Sequence, residues 1–134
     1  MPKNILIIDD DKLIAITLRR LLTREGYNVT TALSGRKALT LIEKSDFDLV
    51  MSDIKMPEMD GIETVKKIRE YLAQNSKRPI PEIFITAYAK EDIYQKALEL
   101  NAAGYIEKPF DIKTLLETTK EVIEKRAYYN LRSA

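Results

Sequence analysis

The sequence predicts an α/β domain, a (βα)5 doubly wound, five-stranded parallel sheet with helices on both faces. Three observations predict it. Five short apolar runs recur along the chain, and a segment of helical periodicity follows each. At 134 residues, 45% of them hydrophobic, the chain is one domain with enough apolar side chain for a core. It has no Cys, so the core must hold without disulfides or thiolate-bound metal.

The elements follow in order. Ile5, Leu6, Ile7 and Ile8 form a run too short for a helix and suited to a strand buried on both faces. Asp9, Asp10 and Asp11 stop it. From Lys12 the pattern turns helical, with Ile14, Leu18, Leu21 and Leu22 on one stripe and Gly26 as the stop. Residues 29–32 read as a second strand. Ser34 then caps a helix that turns Ala38, Leu39 and Ile42 inward. Residues 48–52 read as a third strand ending at Asp53. The turn formers of 56–61 come next, and Gly61 reads as a backbone position needing positive φ. A helix over 62–73 turns Val65, Ile68 and Leu72 inward, and a polar loop with two prolines covers 75–81. Residues 83–86 read as the fourth strand, 90–100 as a helix, and Tyr105 and Ile106 mark the fifth strand. Asp111 caps a last helix with Ile112, Leu115, Leu116, Val122 and Ile123 on its apolar stripe. Periodicity fades from 126, which divides the chain into a domain over 1–126 and a tail or truncated linker over 127–134.

Composition excludes several functions. Lys and Arg number 22 against 21 Asp and Glu, for a net charge of +1, which argues against a nucleic-acid surface or a polybasic membrane patch. There is no His, so a Ser-His-Asp triad, a His-built metal site and a phosphohistidine in this chain are excluded. Catalysis would have to use carboxylates, Lys, Thr, Ser or Tyr. No apolar stretch approaches the ~20 residues of a membrane span, and residues 1–5 lead straight into a strand. The expected compartment is the cytoplasm.

The informative polar residues stand at strand ends. Asp9 and Asp10 follow the first strand, Asp53 ends the third, Thr86 ends the fourth and Lys108 follows the fifth. In an open parallel sheet the carboxyl edge is where ligands bind, so these residues converge there. Three clustered carboxylates repel unless a cation lies among them. Oxygen ligands without His or Cys select a hard ion, Mg²⁺. Such an ion with Lys108 suits an incoming phosphoryl group, and a carboxylate can itself be the nucleophile. Each residue also has a plainer reading. The aspartates could cap the first helix, Asp53 could merely end a strand, Thr86 could be an ordinary β-former, Lys108 a surface charge and Tyr105 packing. The joint placement favours phosphoryl transfer to an aspartate.

Four stretches carry a family resemblance: residues 5–11 (ILIIDDD), 53–61 (DIKMPEMDG), 85–88 (ITAY) and 104–110 (GYIEKPF). In this order, across about 4–124, they resemble the response-regulator receiver domains of two-component signalling. The resemblance implies a flavodoxin-like strand order 2-1-3-4-5. It implies that Asp53 accepts the phosphoryl group, and that the receiver catalyses its own phosphorylation and dephosphorylation rather than acting as an enzyme on other substrates. Asp10 would bind Mg²⁺ directly, Asp9 mainly through water, and Asp53 and the backbone carbonyl of Lys55 would complete the set. Lys108 would pair with Asp53 and then with the phosphoryl group, Thr86 would donate its hydroxyl to it, and Tyr105 would turn inward as Thr86 moves. The Lys108-Pro109 peptide would be cis. Lys55 and Tyr88 would tune the phosphoryl lifetime, and their bulk implies a long one.

The implied partners are a histidine kinase or histidine phosphotransfer protein as donor. Downstream lies an effector protein or a covalently linked output domain, met by the face of the fourth helix, fifth strand and fifth helix. That face could also form a homodimer. A phosphorelay intermediate and a receiver fragment of a larger regulator stay open as alternatives. No direct nucleic-acid or membrane contact is implied. A rival from another class is a haloacid-dehalogenase-type phosphohydrolase with Asp9 as nucleophile. It expects Gly and Thr where Lys12 and Leu13 stand, and leaves Asp53 without a role.

Overall fold

The computed structural model describes residues 1–87, 89 and 91–133, the stretch 127–133 by backbone alone. Five strands and five helices alternate: β1 (Asn4–Ile8), α1 (Lys12–Arg24), β2 (Asn28–Ala32), α2 (Gly35–Lys44), β3 (Leu49–Asp53), α3 (Gly61–Gln74), β4 (Glu82–Thr86), α4 (Asp92–Glu99), β5 (Gly104–Glu107) and α5 (Ile112–Ser133). All pairings are parallel, in the order β2-β1-β3-β4-β5. The expected doubly wound sheet is therefore observed.

β1 shows why the run of four apolar residues is a strand. Ile5, Leu6, Ile7 and Ile8 are each fully buried, each burial contributing roughly 1.5–3 kcal/mol. Ile5 and Ile7 pack with Leu18 and Leu22 of α1 and Leu115 of α5, while Leu6 and Ile8 pack with Ala38 and Ile42 of α2 and Ile68 of α3. Strand side chains alternate between faces, so helices must cover both sides. A third cluster, Ile54, Ile62, Val65, Phe84 and Ala97, joins α3 and α4 to the sheet.

The starts of α1, α2 and α3 follow the capping rules. Asp11 accepts from the backbone N–H of Leu13, Ser34 from that of Lys37 and Asp60 from that of Glu63. α4 begins at Asp92, later than the periodicity predicts, and Lys90 lies outside the described residues. β5 gains Gly104 and Glu107 through pairing with β4. The backbone of α5 stays helical to Ser133, past the fading of its apolar stripe. Arg126 anchors this helix, its guanidinium 3.0 Å from Asp48 just ahead of β3. Glu82, 3% exposed at the start of β4, is held by both arms of Arg69 at 2.8 and 2.7 Å.

Gly61 corrects one expectation. Among the glycines, positive φ falls on Gly26, at 91°, and not on Gly61. Gly61 is required for close approach: a Cβ there would overlap the backbone carbonyl oxygen of Asp53. Its N–H donates to the Ile54 carbonyl at 2.6 Å. The start of α3 is thereby pressed against the strand end that carries Asp53.

Gly61→Ala should therefore cost about 3 kcal/mol through overpacking. Gly26→Ala, with open space around its Cβ, should cost only the left-handed backbone penalty of about 1 kcal/mol. Denaturant unfolding of both variants checks this, and equal losses would show that close approach is not the constraint at Gly61.

Candidate functional site

β1 and β3 are neighbours with Ile8 opposite Ser52, so the next residue of each chain, Asp9 and Asp53, comes side by side. Oxygens of Asp9, Asp10 and Asp53 lie within 4.8 Å of one another. Asp9 and Asp53 are buried, at 1% and 7% exposure, while Asp10 is exposed. The triple aspartate divides its work. Asp11 caps α1, and its own N–H donates to Asp9 Oδ1 at 2.9 Å. The capping reading is right for Asp11, and it leaves Asp9 and Asp10 facing Asp53.

Lys108 reaches the pair from β5. Its backbone N–H donates to the Thr86 carbonyl at 2.7 Å, and the Lys108-Pro109 peptide is cis. Its ammonium lies 2.9 Å from Asp9 Oδ2 and 3.2 Å from Asp53 Oδ2. The sequence pointed to the Asp53 contact; the shorter Asp9 contact appears only in the fold. The other Asp53 oxygen, Oδ1, accepts from the Ile54 N–H at 2.8 Å.

The electrostatics follow from burial. Burial raises the pKa of Asp53 above the ordinary aspartate value; Lys108 opposes the rise and the Asp9 charge adds to it. For Lys108 burial disfavours the ammonium, yet the hydrogen bond it donates to Asp9 and the charges of Asp53 and Asp9 outweigh it, so its pKa is raised and it stays charged. Lys108 cancels one of the three carboxylate charges and leaves two. A hard divalent cation matches that residue of charge and the all-oxygen donor set.

The remaining predicted residues surround this centre. Thr86, 1% exposed, ends β4 one position past the Asp53 partner Ile85. Tyr105 lies opposite Phe84 in β5, with ring centroids 6.1 Å apart. Its hydroxyl accepts from the Ala102 N–H at 3.0 Å and donates to the Ala97 carbonyl at 3.1 Å, at the C-terminal end of α4. Tyr105 is thus bonded to α4 and not to the carboxylates. Tyr88 lies outside the described residues. Lys55 leaves β3 with its ammonium 3.5 Å from Glu91 at the start of α4. Sequence reasoning missed Glu91, because no local pattern marks a pairing across the sheet edge. The clefts around the loop before β4, which share Leu72, Lys77 and Ile80, contain none of these residues. An open apolar cleft lined by Ile14, Ala87, Lys108, Pro109 and Phe110 adjoins the site through Lys108. Among the described residues no helix is long and apolar enough to cross a membrane.

Comparison with known proteins agrees with the geometry. The family model for the response regulator receiver domain matches residues 5–120. The transcriptional regulatory protein ZraR of Escherichia coli is 40% identical over 120 residues, which are 90% of this chain and 26% of that protein. The chain thus spans about a quarter of that regulator's length. Sporulation initiation phosphotransferase F of Bacillus subtilis is 37% identical, over 92% of this chain and 95% of that protein. Among solved structures, a CheY-like response regulator receiver domain protein from Methanospirillum hungatei superposes with a TM-score of 0.86 at 32% identity, covering 96% of this chain and 99% of that one. Chemotaxis protein CheY4 of Vibrio cholerae gives 0.81 at 34% identity, covering 91% and 99%.

The raised pKa of Asp53 predicts that its charge destabilises the fold. Asp53→Asn should stabilise the metal-free protein by about 1 kcal/mol at neutral pH. The sign follows from the linkage: a raised carboxylate pKa penalises the fold above that pKa, and the penalty vanishes as pH falls towards the ordinary aspartate value. The variant's advantage should shrink on acidification, and Mg²⁺ should stabilise wild type more than Asp53→Asn. Thermal unfolding across pH, with and without Mg²⁺, reads both effects; a variant less stable at neutral pH would contradict the assignment.

Proposed function

This chain belongs to the response regulator receiver domain family of two-component signalling, and from that membership we propose that it accepts a phosphoryl group on Asp53 and catalyses the transfer itself. The observation that carries this reading is the placement of the Asp53 carboxylate, buried between Asp9 and Lys108 at the carboxyl edge of the sheet. The phosphohydrolase rival, with Asp9 as nucleophile, leaves that placement unused.

The donor is a phosphohistidine of a histidine kinase or phosphotransfer protein, or a small acyl phosphate. The 134 residues contain no His, so the donor lies outside them. An Asp53 oxygen attacks phosphorus; the new P–O bond forms as the P–N bond to the donor imidazole breaks, and the imidazole leaves with that electron pair. Lys108 moves from Asp53 to the arriving phosphoryl oxygens, and the Thr86 hydroxyl donates to one of them. Asp9, Asp10, Asp53 and the Lys55 carbonyl would hold Mg²⁺. When bound, such an ion would neutralise phosphoryl charge. In hydrolysis a water oxygen takes phosphorus and the Asp53 carboxylate departs with the P–O electron pair.

The output follows from the neighbours of Thr86. Thr86 and Phe84 point to the same face of β4, and Tyr105 packs on Phe84 and bonds to α4. A Thr86 drawn to the phosphoryl group alters the space beside Tyr105 and biases the face built from α4, β5 and α5 between two states. That face meets a downstream effector, a linked output domain or a second copy of the chain. The domain spans 1–126, with 127–134 leading out of it, and the setting is cytoplasmic. A second reading, a phosphorelay intermediate that passes the group to a His elsewhere, is favoured by the likeness to sporulation initiation phosphotransferase F over nearly its full length.

Acetyl phosphate with Mg²⁺ should add one phosphoryl group to the intact mass, and Asp53→Asn or omission of Mg²⁺ should abolish it. An adduct indifferent to Asp53 would overturn the assignment. Lys55 and Tyr88 should obstruct the attacking water, so a variant with Ala at both positions should lose the phosphoryl group at least several-fold faster. Decay of the phosphorylated mass after donor removal measures this, and an unchanged rate would remove both residues from lifetime control.

A further inference from the structure

Lys55 follows Asp53 by two positions, and Glu91 is the N-cap position of α4, in the segment that follows Thr86. β3 and β4 are adjacent, and Asp53 stands opposite Ile85. The 3.5 Å ion pair of Lys55 with Glu91 therefore bridges the two loops that leave the strand ends carrying Asp53 and Thr86. A second observation concerns Glu91 itself. The caps of α1, α2 and α3 each turn a side-chain oxygen onto their own helix, whereas Glu91 makes no side-chain capping bond to α4. Its carboxylate is directed to Lys55 instead. Glutamate is a poor cap, and its reach suits a partner across a gap.

We propose that Glu91 is a positioning residue for the phosphoryl chemistry: it holds the Lys55 side chain at the mouth of the site and so slows the approach of water to the aspartyl-phosphate. The inference deepens the reading of Asp53 as acceptor and rests on it. A lysine stem has many rotamers, and both side chains are about half exposed, at 54% and 49%. The ion pair with Glu91 narrows the rotamers open to Lys55, and its loss widens them and leaves the opening to solvent for a larger part of the time. Because the pair is exposed, its influence is modest and sensitive to salt. Hydrolysis itself is unchanged in its bonds: water oxygen to phosphorus, and Asp53 released as carboxylate.

The test is a double-mutant cycle on phosphoryl decay. Wild type, Glu91→Gln, Lys55→Met and the double variant are phosphorylated with acetyl phosphate and Mg²⁺, the donor is removed, and the phosphorylated mass is followed. Glu91→Gln should decay about two- to five-fold faster than wild type. With Met at position 55, the same substitution should change nothing further. About 0.5 M salt should accelerate wild type and leave Glu91→Gln unaffected relative to the Lys55→Met background. No acceleration in Glu91→Gln, or equal acceleration with and without Lys55, would overturn the proposal while leaving Asp53 as acceptor. Failure of wild type to take any phosphoryl group would overturn the acceptor reading and this one together.

Discussion

The structure depends on one electrostatic constraint, the gathering of three carboxylates at the carboxyl edge of the sheet, two of them held by one ammonium. Two of the carboxylates are buried, and Lys108 balances only part of their charge. A chain selected for stability alone would not bury the Asp53 carboxylate beside a second carboxylate, because burial and the Asp9 charge both disfavour its charged form. In the proposed reading, this arrangement would receive a hard cation and a phosphoryl group.

The scaffold is built to hold that constraint. β1 and β3 sit at the middle of the sheet with their residues packed on both faces, so the backbone ends that carry Asp9 and Asp53 have little freedom. Gly61 brings α3 onto the Asp53 carbonyl, and the Ile54 N–H fixes one carboxylate oxygen. The Thr86 carbonyl fixes the backbone of Lys108. Thr86 thus serves the site twice, its carbonyl orienting the ammonium and its side chain standing one position beyond the Asp53 register.

Aromatic side chains pack between the sheet and α4 beyond the site. Phe84, Tyr105 and Tyr94 form a continuous group, with the Tyr105 ring 6.1 Å from Phe84 and 5.9 Å from Tyr94. The Tyr105 hydroxyl closes the C-terminal end of α4, while Glu91 at its N-terminal end reaches Lys55. α4 is therefore tied at its C-terminal end to β5 and at its N-terminal end to the loop that follows Asp53. A short helix held in this way can shift as a body when one tie changes, which is how a local charge event reaches a surface.

The sequence alone determined the element order, the two-faced sheet and the residues of the carboxyl edge. The run of Ile5, Leu6, Ile7 and Ile8, the capping residues Asp11, Ser34 and Asp60, and the spacing of the receiver motifs are local signals. Backbone preference and side-chain periodicity act over a few residues, so such signals survive in one dimension. Tertiary structure decided which partners meet. Lys108 with Asp9 is separated by 99 positions, Arg126 with Asp48 by 78 and Lys55 with Glu91 by 36. The reason for Gly61, which lies in contact with Asp53 rather than in its own dihedral angle, belongs to the same class. These pairings depend on strand order and register, which place distant side chains within hydrogen-bond reach and leave no pattern in the neighbouring sequence.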